Sequence, residues 1–290
     1  MKKINVLSLF DGMSCGQVAL NKIGIEYDNY FASEIDKYAI QVTQKNFPNT
    51  IQIGSVMDIN TNELPPIDLL IGGSPCQSFT FAGKRVGMTT KDKVDILSLD
   101  QYLSLKEQGF EFEGESYLFW EYIRILKESK PKYFILENVN SMSKESKAKI
   151  TEIMGVESIM IDASLVSAQS RKRLFWTNIP IQGLPKDRNI FLKDVLQSGE
   201  IDERMTSKGK AFCLDASYYK GSSAEHSIKR KNRTLIKLEE QFRKLTPIEC
   251  ERLQGLSDNY TEGISNTQRY KCLGNAFNVD VICFILSFIN

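Results

Sequence analysis

Ile67-Asp68-Leu69-Leu70-Ile71-Gly72-Gly73-Ser74-Pro75-Cys76-Gln77 opens on a short apolar run and closes on glycine, proline and cysteine. A continuous apolar run of this length reads as a strand buried on both faces, as in a parallel sheet. Glycine and Pro75 end it and leave Cys76 just past its carboxyl end. In open α/β sheets that edge is where ligands bind. A cysteine placed there is a candidate nucleophile.

Similar runs flank it on both sides. Strand patterns at 4–10, 27–33, 50–53 and 132–137 alternate with helical spacing at 17–22, 37–46, 116–129 and 144–154. Further strands are expected at 159–165 and 173–177. This alternation predicts an α/β fold with a doubly wound, mostly parallel, Rossmann-like sheet. After Asn178 the pattern weakens into a region richer in Lys, Arg, Ser and Asn, then returns to a strongly apolar stretch at 278–289. The expected division is 1–178 as the catalytic and cofactor-binding domain, 179–268 as a small irregular domain, and 269–290 as a segment returning to the first.

The chain has 290 residues, enough for one large core or a large and a small domain. Its 37 Lys and Arg against 36 Asp and Glu leave a net charge of +1, so nucleic-acid binding would need a local basic patch. The one histidine, His226, lies in a polar stretch, which argues against a His-based triad. None of the six cysteines forms a C-x-x-C pair, which argues against a zinc site and for a reduced, intracellular protein; no metal is expected. No run of about 18 apolar residues marks a membrane span, and 1–6 leads into a strand rather than a signal peptide. A cytoplasmic protein is expected.

The turn after the first strand carries Gly12 and Gly16, and Glu34 follows the second strand. A glycine-bearing βα turn with an acid about twenty residues on is the arrangement that holds a nucleoside-containing cofactor through its ribose. The full dinucleotide fingerprint is missing, which counts against a dehydrogenase. Two more segments bear chemistry: Phe134-Ile135-Leu136-Glu137-Asn138-Val139, a strand ending in an acid, and Gln169-Ser170-Arg171-Lys172-Arg173.

In this order the segments resemble the cytosine-C5 DNA methyltransferase family, bacterial or phage type, from end to end. Leu9-Phe10-Asp11-Gly12 resembles its first cofactor motif, in the form of the animal de novo branch. Pro75-Cys76-Gln77, Glu137-Asn138-Val139 and Gln169, Arg171 and Arg173 match its nucleophile, acidic and Gln-x-Arg-x-Arg motifs. Residues 243–252 and Tyr270-Lys271-Cys272-Leu273-Gly274-Asn275 resemble its last two.

The resemblance implies transfer of a methyl group from S-adenosylmethionine, leaving S-adenosylhomocysteine, to C5 of a cytosine flipped out of duplex DNA. The Cys76 thiolate would add to C6, making C5 nucleophilic. Glu137, a carboxyl group holding its proton near neutral pH, would donate to N3. Arg173, with Arg171, would steady O2, the nucleophile loop or a phosphate. The implied cofactor residues are Phe10, Asp11, Gly12, Met13, Cys15, Glu34, Ile35, Ser55, Val56, Gly73, Pro75, Leu118, Asn275 and Ala276. The family's third motif normally has Asp where this chain has Ser55, a weaker acceptor for the adenine amino group.

The small domain takes the place of a target recognition domain, with Lys210, Tyr218, Lys220, Lys231 and Arg233 as its expected DNA contacts, joined by Lys84 and Arg85 behind Cys76. Its Cys213-Leu214 stands nearest to the family's Thr-Leu pair. Residues 94–115 are an insertion with helical apolar spacing. Double-stranded DNA is the expected partner of a monomer, with a cognate restriction endonuclease as a second candidate. A tRNA methyltransferase of the same family, and a catalytically dead DNA-binding regulator, are the alternatives.

Overall fold

The computed structural model describes residues 3–75, 89–92, 94–239 and 241–289. Cys76, Lys84 and Arg85 lie outside the described residues.

The first part alternates β1 (Ile4–Leu9), α1 (Cys15–Ile23), β2 (Tyr27–Ser33), α2 (Lys37–Asn46), β3 (Ile51–Gln52), β4 (Leu69–Gly72), α3 (Leu99–Glu107), α4 (Leu118–Ser129), β5 (Tyr133–Val139), α5 (Lys144–Met154), β6 (Ser158–Asp162) and β7 (Lys172–Thr177). One seven-stranded sheet has the order β3-β2-β1-β4-β5-β7-β6. Strands β1 to β5 run parallel, and β7 is antiparallel to both neighbours.

The apolar strands make both faces of this sheet core. Val6, Leu69, Ile71 and Ile135 face a cluster that includes residues of α1 and the chain's last helix. Leu7, Leu9, Leu70 and Leu136 face another that holds α3 and α4. Local signals set the helix ends. Asp36 caps α2 by accepting from the amides of Tyr38 and Ala39, and Ser143 caps α5, which ends on Gly155 in the left-handed region.

The expected strand at 159–165 stops at Asp162, whose carboxylate accepts from the Ser164 amide and starts a 3-10 turn at Ala163–Leu165. The insertion forms α3, packed on α4.

Beyond β7 come β8 (Glu200–Ile201), α6 (Ala224–Arg230), β9 (Leu235–Leu238) and β10 (Gln241–Lys244), with a three-stranded antiparallel sheet ordered β10-β9-β8. Then follow α7 (Pro247–Leu253), α8 (Asn266–Asn275) and α9 (Val279–Leu286), the last against α1. The stretch between α7 and α8 returns to α2: Asn46 Nδ2 donates to the Tyr260 carbonyl at 3.0 Å and Lys45 Nζ to the Glu262 carbonyl at 2.9 Å. Among the described residues, no helix is long and apolar enough to cross a membrane.

Candidate active site

Sheet register brings the candidate residues to one edge. Leu9 pairs with Ser33 and with Gly72, and Gly72 pairs with Leu136. The next residue on each strand is therefore Phe10, Glu34, Gly73 and Glu137, in one row at the carboxyl ends.

At the acidic end of that row, Glu137 Oε1 meets Arg173 Nε at 2.8 Å. The antiparallel course of β7 makes this possible by pairing Val139 with Arg173. Both side chains remain partly open, 13% for Glu137 and 17% for Arg173. They line a pocket with Arg171 and Phe277. A Cβ on Gly73 would stand 2.9 Å from the Phe277 ring and 3.2 Å from Glu137 Oε2, so glycine lets the backbone leading to Cys76 approach the acid. Asn138, 1% exposed, donates to the Ser74 carbonyl at 3.4 Å and ties that same backbone to β5.

The other members of the Gln-x-Arg-x-Arg motif are spent inside the protein. Arg171 is 3% exposed. Its Nη1 donates to the Leu214 carbonyl at 2.8 Å, and its Nη2 to the carbonyls of Gly274 and Ala276 at 3.2 and 2.8 Å. Gln169 accepts from the Leu214 amide at 3.0 Å and donates to the Leu253 carbonyl at 3.1 Å. The motif thus divides, with Arg173 facing the pocket and Gln169 and Arg171 holding three chain segments together. Arg171, expected beside the substrate, lines the pocket as well, but its Nη atoms are turned to these carbonyls.

At the other end of the row, the Glu34 carboxylate accepts from the amides of Gly12 (2.7 Å), Ile35 (2.7 Å) and Asp36 (2.8 Å). The turn between β1 and α1 needs positive φ at Phe10, Gly12 and Ser14. Asp11 pins this turn: its carboxylate accepts from Ser14 Oγ at 2.5 Å and Tyr30 OH at 2.8 Å. Burial pushes the Asp11 carboxyl up to about 6, against the pull of the Ser14, Ser8 and Tyr30 hydrogen bonds. Ile35 is 77% exposed, an apolar side chain left open beside a carboxylate whose Oε2 retains one free lone pair. Carboxylate, apolar flank and open space at Gly12 match the ribose and purine of a nucleoside cofactor.

Asp11, Met13, Cys15, Val56 and Ala276 are buried. Burial pushes the Cys15 thiol far up, which makes it inert. Ser55 caps the 3-10 turn Val56–Asp58 by accepting from the Met57 amide at 3.2 Å. Pro75 and Leu118 are half-buried, and Asn275 is exposed at the end of α8.

Three expected DNA contacts prove to be internal ties. Lys210, 6% exposed, donates to the Ser167 and Ile190 carbonyls. Tyr218, 3% exposed, donates to the Thr234 carbonyl and accepts from the Leu245 amide. Arg233, 9% exposed, donates to the carbonyls of Gly221 and Ser217. Their polar atoms complete the loop structure around them and do not face solvent. Lys220 and Lys231 are exposed. Among the described residues, no group of three or more His, Cys, Asp or Glu side chains could hold a metal ion.

Sequence reasoning left Asn138 and Phe277 without a role. Asn138 lies inside the acidic motif and Phe277 follows the expected cofactor residue Ala276, which was the available signal.

Comparison with known proteins gives this geometry a context. The family model described as C-5 cytosine-specific DNA methylase matches residues 4–179 and 184–290. The orphan methyltransferase M.Rho11sI of Bacillus phage rho11s is 34% identical over 215 residues, covering 69% of this chain and 38% of that protein. The type II methyltransferase M1.ScrFI of Lactococcus lactis subsp. cremoris is 28% identical, covering 97% of this chain and 76% of that one. The chain thus spans well under half the length of the phage relative. Among solved structures, the Entamoeba histolytica methyltransferase EhMeth aligns with a TM-score of 0.68 at 17% identity, covering 99% of this chain and 98% of that one. At that identity the likeness speaks to the fold alone.

Proposed function

This chain belongs to the C-5 cytosine-specific DNA methylase family, and we propose that it methylates C5 of a cytosine flipped out of double-stranded DNA, with S-adenosylmethionine as methyl donor. The observation that carries this reading is the Glu137–Arg173 pair, 2.8 Å apart, in a pocket beside the backbone that leads to Cys76.

Each residue has a chemical task. Cytosine C5 is a poor nucleophile until electrons are pushed into the ring. The Cys76 thiolate bonds to C6, the C5–C6 π electrons move toward C5, and Glu137 gives its proton to N3 as charge develops there. Arg173 holds the Glu137 carboxyl in place and offers a cation near the ring oxygen. S-adenosylmethionine, when bound, supplies an electrophilic methyl group on a sulfonium sulfur. Once C5 carries its substituent, loss of the C5 proton to solvent restores the C5–C6 double bond and expels the Cys76 thiolate, and N3 returns its proton to Glu137.

Glu34 would accept from a ribose hydroxyl of the cofactor through Oε2, Ile35 would flank its adenine, and the backbone at Gly12 and Gly73 would admit it closely. Residues 179–268 would read the target and 269–290 would complete the catalytic domain, with the stretch around Tyr260 seated on α2. The exposed Lys220 and Lys231 would meet phosphates. The reading is of a monomer in the cytoplasm of a bacterial or phage-infected cell, and the likeness to a type II methyltransferase supports a cognate restriction endonuclease as partner. Tritiated methyl transfer to duplex DNA and to tRNA tests the reading. Label in DNA supports it, and label confined to tRNA, or to neither, contradicts it.

A further inference from the structure

The insertion has no part in the chemistry above, yet it is built into the cofactor side of the sheet. Glu121 of α4 is fully buried at 0% exposure. Its carboxylate accepts from Tyr102 OH at 2.5 Å, Lys106 Nζ at 2.7 Å and Arg124 Nε at 2.7 Å. Tyr102 and Lys106 both come from α3. The two cations reach further, to the 3-10 turn Val56–Asp58 and the residue after it. Lys106 Nζ donates to the Met57 carbonyl at 3.1 Å, and Arg124 donates to the carbonyls of Val56 and Ile59 at 3.2 and 3.1 Å.

The carbonyls of residues 56, 57 and 59 are therefore each held by a cation anchored on one buried carboxylate. Glu121 and Arg124 sit one helical turn apart and pair without outside help. The Met57 carbonyl, at the middle of the turn, depends on the insertion. The Tyr102 ring is fixed by Phe112 at 5.0 Å between centroids, and Phe112 in turn stacks on Tyr117 at 4.8 Å, directly before Leu118. A buried carboxylate demands its full set of partners, so α3 cannot shift without shifting the turn that Ser55 caps.

We propose that Tyr102 and Lys106 are positioning residues for cofactor binding. Through Glu121 and Arg124 they fix the turn that presents Ser55 and Val56 to the adenine. The proposal rests on the cofactor reading given above.

The test uses the full chain, with S-adenosylhomocysteine binding measured by calorimetry and KM and kcat measured against S-adenosylmethionine. Lys106→Met should weaken S-adenosylhomocysteine and raise the cofactor KM by about tenfold, the scale of one charge-assisted hydrogen bond, with kcat at saturating cofactor within about twofold. Lys106→Arg should restore most of the affinity. Tyr102→Phe, which keeps the ring stack, should show the same split to a smaller degree, and it decides the matter if Lys106→Met does not fold. A folded variant with unchanged cofactor affinity, or a fall in kcat with KM unmoved, overturns the brace alone. Wild-type protein that binds no S-adenosylhomocysteine overturns the cofactor reading itself, and the brace with it.

Discussion

Arg171 Nη1 donates to the Leu214 carbonyl at 2.8 Å, joining the segment that enters β7 to the loop that precedes Tyr218. With the bonds to Gly274 and Ala276, one buried guanidinium satisfies three carbonyls. Arg171→Ala strands all three, and the expected loss is about 3–5 kcal/mol of stability, the scale for breaking a buried charged network. The shift of the urea midpoint measures it. An unchanged midpoint contradicts the assignment.

Arg173 sits one turn of the alternation away and has the opposite profile. Its side chain is partly open and its carboxylate partner faces the pocket. Arg173→Ala should leave the urea midpoint close to wild type while lowering methyl-transfer kcat by roughly 10²–10³, the range for losing one preorganised electrostatic contact. A large stability loss with kcat preserved would reverse the two roles.

Asp11 predicts a pH dependence with a definite sign. Its carboxyl is raised from 3.8 to about 6, chiefly by burial. A carboxyl raised on folding stabilises the native state fully below its unfolded value and loses that contribution as pH climbs through the folded value. Between about pH 4 and pH 8, wild type should lose about 2 kcal/mol relative to Asp11→Asn. Urea denaturation of both proteins across that window checks this. Parallel curves for the two proteins would contradict it.

The exposed and buried polar residues of the 179–268 region should separate by salt. Lys220→Ala and Lys231→Ala should each weaken duplex binding and reduce the salt slope by about one, with no change in Tm. Tyr218→Phe breaks its hydrogen bonds to Thr234 and Leu245 and should cost about 1–2 kcal/mol of stability without moving the salt slope. A salt-slope change in Tyr218→Phe would place that side chain on the DNA.

The parallel part of the sheet was legible because its signals are local. Runs such as Leu69–Gly72 are apolar throughout, and α2 and α5 match their expected bounds because Asp36, Ser143 and Gly155 mark them. The site row was legible too, since Glu34 follows β2 directly and Glu137 lies near the end of β5, which runs on two residues beyond the expected end to Val139. Strand direction carries no such mark, so nothing local showed that β7 reverses and sets Arg173 against Glu137. The same limit governed Lys210, Tyr218 and Arg233. A cation or phenol in a loop looks solvent-bound until the fold supplies carbonyls that lie far away in sequence, as Ser167 does for Lys210. The insertion's apolar spacing was visible, but the meeting of Tyr102 and Lys106 at Glu121 depends on tertiary packing.

Bisulfite sequencing of DNA from cells expressing the wild-type chain, Cys76→Ala or Glu137→Ala tests the central claim most directly. The account predicts that wild type protects cytosines in one short sequence context from conversion and that neither variant protects any. Protection that persists in Cys76→Ala, or none from a folded wild-type chain, would contradict it.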